Sequence, residues 1–476
     1  MEQTTLLTVL IVVFEVLGIL SAVHAVTSVR TPQGTIAWAI SLITFPFLAV
    51  PAYWVFGRNK FHGYVRARQK DLQPLNQVIQ QVNESAVRTA GAEGHPLGDK
   101  QSVERLARVP VTIGNDVKLL IDGQRTFDDI FEGIDAAERY VLVQFYIVRA
   151  DELGRALQSR LIEKARQGVQ VLFLYDEIGS LGLPESYLND MRAAGVEAHQ
   201  FHSRKGRGNR FQLNFRNHRK TVVVDGHTAW IGGHNVGDEY LGKDPSVGAW
   251  RDTHARVRGP AVLGAQLAFA EDWRWATDAL PGFLDWDVPS PSPTGMPAIV
   301  VATGPADEWE TAAFLFTRAI NVATRRIWIA SPYFVPDEGT LRALQLAALR
   351  GVDVRVLIPE KADSLLVTLA AYSFFNEVKS TGGNIYRYQE GFLHGKYALV
   401  DDDVCAIGTA NFDNRSFRLN FEITLIAVDS AFGDEMERMF EDDFRRSRLM
   451  EPGEVEAKSA IFRFGVRIAR LAAPVL

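Results

Sequence analysis

The stretch Asn217–Asn235 reads NHRKTVVVDGHTAWIGGHN. It sets a histidine, a lysine, an aspartate, paired glycines and an asparagine around an apolar run of strand-like composition. One copy of so short a pattern is weak, because His-x-Lys-x4-Asp arises by composition in roughly a few per cent of chains this long. The chain carries a second copy, HGKYALVDDDVCAIGTAN, from His394 to Asn411. His218, Lys220, Asp225, Gly232 and Asn235 recur as His394, Lys396, Asp401, Gly408 and Asn411, each 176 positions later. Two extended copies at one offset read as two half-sites.

The surroundings repeat as well. YVLVQFYIVRADELGRALQSRLIEKARQGVQVLFLYD begins at Tyr140, and RIWIASPYFVPDEGTLRALQLAALRGVDVRVLIPE begins at Arg326. Each is an apolar strand, a polar turn, an amphipathic helix closed by glycine, and another apolar strand. Strands alternating with such helices predict right-handed crossovers and a largely parallel or mixed sheet. The Pro/Ser-rich WDVPSPSPTGMP, at about 286–297, separates the halves. A two-lobe α/β body is the expectation.

Strand alternation puts His218 and Lys220 on one face and Asp225 on the other, and does the same for His394, Lys396 and Asp401. The motif aspartates stand before turns (DGHT, DDDV), so a bracing role competes with direct participation. Asp252 in WRDTHARV and Glu422 in RLNFEITLIAV each follow a motif and open an apolar strand. They are candidates to fix the imidazole tautomers, with capping or surface pairing as the alternative.

Two histidines, two lysines and two asparagines facing one another suit phosphodiester exchange. A neutral histidine attacks phosphorus while the opposite, protonated histidine gives its proton to the leaving alkoxide. Lysines and asparagine amides hold the non-bridging oxygens. This chemistry needs no metal or cofactor, and no zinc or magnesium ligand set stands out in the sequence.

The first 57 residues are a different material. Leu6–Val26 carries one formal charge, Glu15, and Thr35–Gly57 carries none. Each is long enough to cross a hydrocarbon layer, which takes roughly 20 helical residues. MEQTT lacks the basic start of a secretory signal, so the two runs predict a membrane hairpin. Arg58, Lys60, Arg66, Arg68 and Lys70 follow the second run, against Arg30 in the connection, which predicts both ends on the cytoplasmic side. Glu15 faces a partner helix or sits protonated on this reading. The net charge of −6 gives no global signature of a nucleic-acid binder. One cysteine, Cys405, excludes an intrachain disulfide and reads as a buried strand residue.

These motifs resemble the phospholipase D superfamily, marked by paired H-x-K-x4-D. GGHNVGDEYLG, WRDTHARVRGPAV, SPYFVPDE and GTANFDNRSFRLNFE are most similar to its bacterial cardiolipin synthases, over essentially the whole chain. The resemblance implies condensation of two phosphatidylglycerol molecules into cardiolipin and glycerol through a phosphatidyl-histidine. It implies a reactive set of His218, Lys220, Asp225, His394, Lys396 and Asp401, with Asn235 and Asn411 binding phosphate; the near-symmetric pair is read here with His218 as nucleophile and His394 as general acid and base. It departs from the family where serine often follows the motif glycine, since Gly233 and Thr409 stand there.

The expected fold is α/β, with two pseudo-twofold-related phospholipase D-like lobes behind a two-helix transmembrane hairpin. The expected boundaries are 1–57 for the hairpin (spans about 6–26 and 35–57), 58–106 for a basic juxtamembrane segment and linker, and 107–285 for lobe 1 with its motif region at 213–240. The linker 286–297, lobe 2 at 298–456 with its motif region at 389–416, and an amphipathic basic segment at 457–476 complete the chain. The partners implied are phosphatidylglycerol and an anionic bilayer, without nucleic acid. SRKGRGNRFQLNFRNHRK, with Arg204, Lys205, Arg207, Arg210, Arg216 and Arg219, is a candidate collector of anionic headgroups, or a solvated basic loop. A phospholipase D-type hydrolase, another transphosphatidylase, a metal-independent nuclease and a non-catalytic lipid-binding scaffold are the alternatives. Intact motifs argue against the scaffold, and the hairpin argues against the nuclease.

Overall fold

The computed structural model describes residues 2–29, 31–57, 61, 64–65, 80, 100–201, 214–245 and 248–476. Arg30, the basic residues 58–60 and 66–70, most of the tether before Lys100, and Arg204–Arg210 lie outside the described residues. The chain forms two compact units, Met1–Gln69 with His202–Phe215, and Lys70–Phe201 with Arg216–Leu476.

In the first unit, helix α1 (Glu2–Ser28) is long and apolar enough to cross a membrane. The second run departs from the expected single span. It forms α2 (Pro32–Thr44) and α3 (Pro46–Phe56), broken at Phe45, whose φ/ψ of −135/56 is not helical. Pro46 is the cause: its ring disfavours helical backbone in the residue before it, and it starts a new helix at a first-turn position. The three helices pack through Ala22, Ala25, Leu42, Ala49, Val50 and Tyr53. A Cβ on Gly18 would lie 2.4 Å from the Leu42 carbonyl oxygen, so glycine is what lets α1 and α2 approach. His24 Nδ1 meets the Tyr53 hydroxyl at 2.7 Å, and Trp54 Nε1 donates to Ser21 Oγ at 3.1 Å. The leucines, isoleucines and valines of α1 otherwise point outward, leaving an apolar exterior.

The second unit opens with α4 (Lys100–Ala107), β1 (Thr112–Ile121) and α5 (Gly123–Asp135). Then β2 (Tyr140–Phe145), α6 (Glu152–Arg166), β3 (Gln170–Asp176), α7 (Glu185–Ala193) and β4 (Glu197–Phe201) form parallel crossovers. The antiparallel strands β5 (Thr221–Val224), β6 (Thr228–Gly232) and β7 (Thr253–Arg258) follow, and α8 (Val262–Thr277) leads to the linker. The second half runs β8 (Met296–Thr303), α9 (Thr311–Val322), β9 (Arg326–Ala330), α10 (Glu338–Leu349), β10 (Asp353–Pro359), α11 (Leu365–Lys379) and β11 (Asn384–Tyr388). It continues through β12 (Tyr397–Val400), β13 (Val404–Gly408), α12 (Asn414–Arg418), β14 (Asn420–Val428), α13 (Ser430–Arg445), β15 (Ser447–Leu449) and α14 (Ala460–Arg470).

The strands join in one path, β4-β3-β2-β5-β6-β7-β1 and then β8-β14-β13-β12-β9-β10-β11-β15. Read outward from the central antiparallel pair β1–β8, the two arms place strands of the same rank side by side; β15 is an addition at one edge. The fold is a mixed α/β architecture. Local chemistry explains the recurring crossovers. Asp151 caps α6 by accepting from Gly154 N at 3.0 Å, and Asp337 caps α10 by accepting from Thr340 N at 2.7 Å. Gly168 and Gly351, at φ 89° and 85°, turn the chain out of these helices where a side chain would be strained. Leu153, Leu157 and Leu161 bury one face of α6, and Leu341, Leu344 and Ala347 do the same for α10. Cys405 is buried in β13, and burial pushes its thiol up.

Candidate active site

Neither motif histidine lies inside its strand. His218 and Lys220 precede β5, and His394 precedes β12, in extended segments that pair with the opposite half of the chain. Arg216 and Asn217 run parallel to Asn420 and Phe421, and Phe392 and Leu393 run parallel to Trp250 and Arg251. The next backbone bonds continue these short ladders, with His218 N donating to Phe421 O at 2.9 Å and His394 N to Arg251 O at 2.7 Å. Each histidine is therefore delivered beside the residue that follows its ladder, Glu422 for His218 and Asp252 for His394.

The side chains meet accordingly. His218 Nδ1 lies 2.9 and 3.0 Å from the two Glu422 oxygens, and His394 Nδ1 lies 2.6 Å from Asp252 Oδ2. Both carboxylates are fully buried. The sequence nominated both; the structure adds that the pairing is crossed, each half orienting the other's imidazole. A ring that gives its Nδ1–H to the carboxylate keeps a free lone pair on Nε2; at His394 the Lys396 ammonium also stands 2.8 Å from Nδ1. Burial pushes His218 down to about 4 against the pull of Glu422, and burial with the Lys396 charge pushes His394 down to about 3. Asp252 and Glu422 are driven up by burial, but the surrounding cations and hydrogen bonds outweigh this and hold both below their ordinary values. At neutral pH the site holds two neutral imidazoles against two carboxylates.

The lysines bridge the halves. Lys396 depresses His218, and Lys220 depresses His394, so the four side chains share one electrostatic environment. Lys220 Nζ donates to His218 O at 2.7 Å and stands 5.2 Å from the Tyr146 ring centre. Lys396 donates to His394 O, and its own acidity rises, its pKa falling to about 8, mainly through burial. Tyr146 packs edge-on against His218 at 5.0 Å, and Trp250 lies 5.1 Å from His394. Burial and the neighbouring Arg216 lower Arg415, so two guanidinium groups converge near Tyr146.

The motif aspartates bond to backbone amides away from the two histidines. Both occupy left-handed turns, at φ 52° for Asp225 and 50° for Asp401. Asp225 accepts from the amides of Glu138, Arg139 and Tyr140 at 2.8–2.9 Å, and Asp401 from those of Thr324, Arg325 and Arg326 at 2.8–3.1 Å. They tie each hairpin turn to the start of the neighbouring antiparallel strand, β2 or β9. The physical reason is the turn itself, which aims the carboxylate at unsatisfied backbone amides and away from the histidine's ladder.

Other expectations divide. Asn235 is engaged at both ends, accepting from Ile147 N at 3.0 Å and donating to the Tyr240 hydroxyl at 2.9 Å. Asn411 keeps a buried amide oxygen without a partner among the described residues. Arg219 is no headgroup collector. It is buried, paired with Asp272 at 2.8 Å, and donates to the carbonyls of Glu422, Ala268 and Thr303.

The departure at Gly233 and Thr409 has a structural cause. A Cβ on Gly233 would sit 2.0 Å from Asp252 Oδ1, whereas Thr409 Oγ1 donates to Glu422 Oε2 at 2.6 Å. Glu422, one methylene longer, also accepts from Ser416 Oγ at 2.8 Å and Asn420 Nδ2 at 3.2 Å. Ser416 and the aromatic neighbours were not singled out from sequence. Repeat arithmetic misses the crossed pair too, because Asp252 and Glu422 stand 170 positions apart, not 176. A buried imidazole pair, His234 Nδ1 to His254 Nδ1 at 3.0 Å, backs Asp252 and also carried no sequence signal.

The family model described as cardiolipin synthase, PLD-like domain, matches residues 130–247 and 316–444, and a phospholipase D-nuclease N-terminal model matches 16–58. Cardiolipin synthase A of Pseudomonas putida (strain GB-1) is 49% identical over 466 residues, covering 97% of this chain and 96% of the relative. Cardiolipin synthase A of Pseudomonas entomophila (strain L48) is 48% identical over 473 residues, with 98% of each covered. Among solved structures, phosphatidylserine synthase from Haemophilus influenzae Rd KW20 superposes with a TM-score of 0.60 at 13% identity, over 79% of this chain and 99% of that one, a likeness of fold. With both motifs intact, their histidines braced across the repeat, and this similarity running from end to end, the chain belongs to the bacterial cardiolipin synthases of the phospholipase D superfamily.

Proposed function

We infer that the two motifs work as one site that moves a phosphatidyl group between two phosphatidylglycerol molecules. The chain is a cardiolipin synthase, a phosphatidyltransferase acting on phospholipid. The observation that carries the mechanism is the crossed bracing, which leaves one Nε2 on each histidine free to work. His218 attacks phosphorus and forms a phosphatidyl-histidine, and glycerol leaves with a proton from His394. His394, then neutral, takes the proton of the second phosphatidylglycerol's hydroxyl, which attacks the adduct and releases cardiolipin.

Burial leaves both imidazoles neutral at rest, so the acid must be charged on substrate binding. The bound phosphodiester supplies the anion that favours an imidazolium. Lys220 and Lys396 stabilise the non-bridging oxygens. Asn411 joins them through its amide NH2, Asn235 through the N–H that Tyr240 leaves over, and Arg216 with Arg415 is a further anion-accepting pair. His218 is favoured as nucleophile because Glu422, steadied by Thr409 and Ser416, holds its ring in the more complete set of bonds.

In this reading the body is two pseudo-twofold-related lobes, 107–285 and 298–456, with the site on the axis between them. The N-terminal segment crosses the inner membrane more than once, and the basic residues after it keep the body on the cytoplasmic side. Incubating the purified chain with phosphatidylglycerol vesicles tests the reading. Cardiolipin and glycerol in equal amounts support it; phosphatidic acid with glycerol would replace it with hydrolysis.

A further inference from the structure

Helix α14 has three faces where an ordinary surface helix has two. Phe462, Gly465, Val466 and Ala469 turn inward, with Val466 and Ala469 buried. The Phe462 ring lies 5.1 Å from Tyr372 of α11, and Gly465 packs over Leu369. Arg470 donates to Ser373 O at 3.0 Å and pairs with Glu377 at 2.5 Å, fixing the helix to the body. At about 100° per residue, Ile461, Phe464, Ile468 and Leu471 fall on a second sector well away from the buried one. They are 86%, 65%, 53% and 77% exposed. Arg463 and Arg467 lie on the third sector, both exposed, with Arg463 donating to the Glu456 carbonyl at 3.3 Å.

The patch continues onto α11. Leu365 and Leu366, also exposed, stand one turn before Leu369, on which α14 rests. One residue, Ser364, separates them from Asp363, which accepts from the Tyr333 hydroxyl at 2.7 Å and bears on the charge of Lys396. The apolar surface therefore runs from α14 toward Asp363, with Arg463 and Arg467 flanking it on the helix. A soluble body has no use for four large apolar side chains held outward on a firmly docked helix.

We propose that α14, with the start of α11, is a docking surface for an anionic bilayer. Ile461, Phe464, Ile468 and Leu471 enter the acyl boundary, and Arg463 and Arg467 take the headgroups. The surface thereby sets the catalytic body against its lipid substrate. The proposal rests on the reading that the substrate is an anionic bilayer phospholipid. Charge complementarity favours that occupant over a second copy of the chain, whose own arginines would face these.

Nitroxide depth measurement on the full chain in phosphatidylglycerol-containing vesicles tests this. Cys405 is buried, so Phe464→Cys and Ile468→Cys each supply one reactive thiol, with Asp434→Cys as an exposed control on α13. The proposal expects labels at 464 and 468 to collide with oxygen and be shielded from a water-soluble nickel chelate, with the control open to the chelate. Replacing Arg463 and Arg467 by glutamine should weaken the shielding, about fivefold in population per arginine. Chelate access at 464 and 468 equal to the control overturns the proposal, and so does shielding from both reagents with dipolar broadening, the mark of a second copy. Turnover is followed in the same vesicles with unlabelled protein. Docking without turnover would count against the function, and turnover without shielding against the docking surface.

Discussion

Glu422→Gln is the sharpest perturbation of the site, because it changes no shape and removes one charge. Nδ1 of His218 lies 2.9 and 3.0 Å from the two carboxylate oxygens, so either flip of the amide brings its NH2 against that nitrogen. The imidazole loses the charged acceptor that holds its proton on Nδ1, and the competing NH2 favours the tautomer with the proton on Nε2, the atom that must attack phosphorus. Thr409 and Ser416, which donate to opposite oxygens of Glu422, cannot both keep an acceptor. A wrong tautomer of an otherwise intact histidine costs about 10⁴-fold in kcat, and at 1.36 kcal/mol per tenfold this is about 5.4 kcal/mol of transition-state stabilisation. The substrate's phosphate contacts are not touched, so KM should move little. The assay is single-turnover conversion of radiolabelled phosphatidylglycerol in proteoliposomes, with adduct trapped by acid quench. Full adduct formation in Glu422→Gln, or a loss confined to KM, would refute the tautomer argument.

Four further outcomes follow from particular contacts. Gly233→Ala pushes a methyl onto Asp252 and should misplace His394 by enough to cost about 100-fold in kcat, measured in the same assay with the fold checked by circular dichroism. Asp225→Ala removes the acceptor of three backbone amides and should cost about 2 kcal/mol in denaturant unfolding; its kcat should fall far less than that of His218→Ala. Lys396 loses its charge above about pH 8, so kcat/KM should fall on that alkaline side. The acid side acts on stability. His218 and His394 stay neutral when folded down to about 4 and 3, while the unfolded chain takes up their protons from about 6.5. Stability is therefore full above about pH 6.5 and drains away as pH falls through the folded values, which a pH series of unfolding midpoints would record.

What the sequence made legible follows from what repeats. A fixed offset exposed both motifs, and periodicity exposed the crossovers, because strand, capped helix and terminal glycine are local features. Asp252 and Glu422 were found as candidates from their places at strand starts. Their crossed use was hidden, since it depends on two-residue ladders between segments 204 and 142 positions apart. The parity argument reached a correct separation of His218 from Asp225 by an incomplete route: the histidine precedes the strand, and the aspartate sits in a left-handed turn. Arg219 looked like a surface cation by composition, and only packing against Asp272 shows it buried. The second apolar run read as one span because hydropathy averages over Pro46, while backbone geometry does not.

The central claim is that one histidine attacks and the other only moves protons. A phosphatidyl ester of p-nitrophenol isolates the two roles, because its leaving group departs as a stable anion and needs no acid. With His394→Ala the account predicts a burst of p-nitrophenol equal to the enzyme present, with the adduct mapped to His218 and little turnover afterwards. With His218→Ala it predicts no burst. A burst in His218→Ala with the phosphatidyl group on His394 would contradict the assignment.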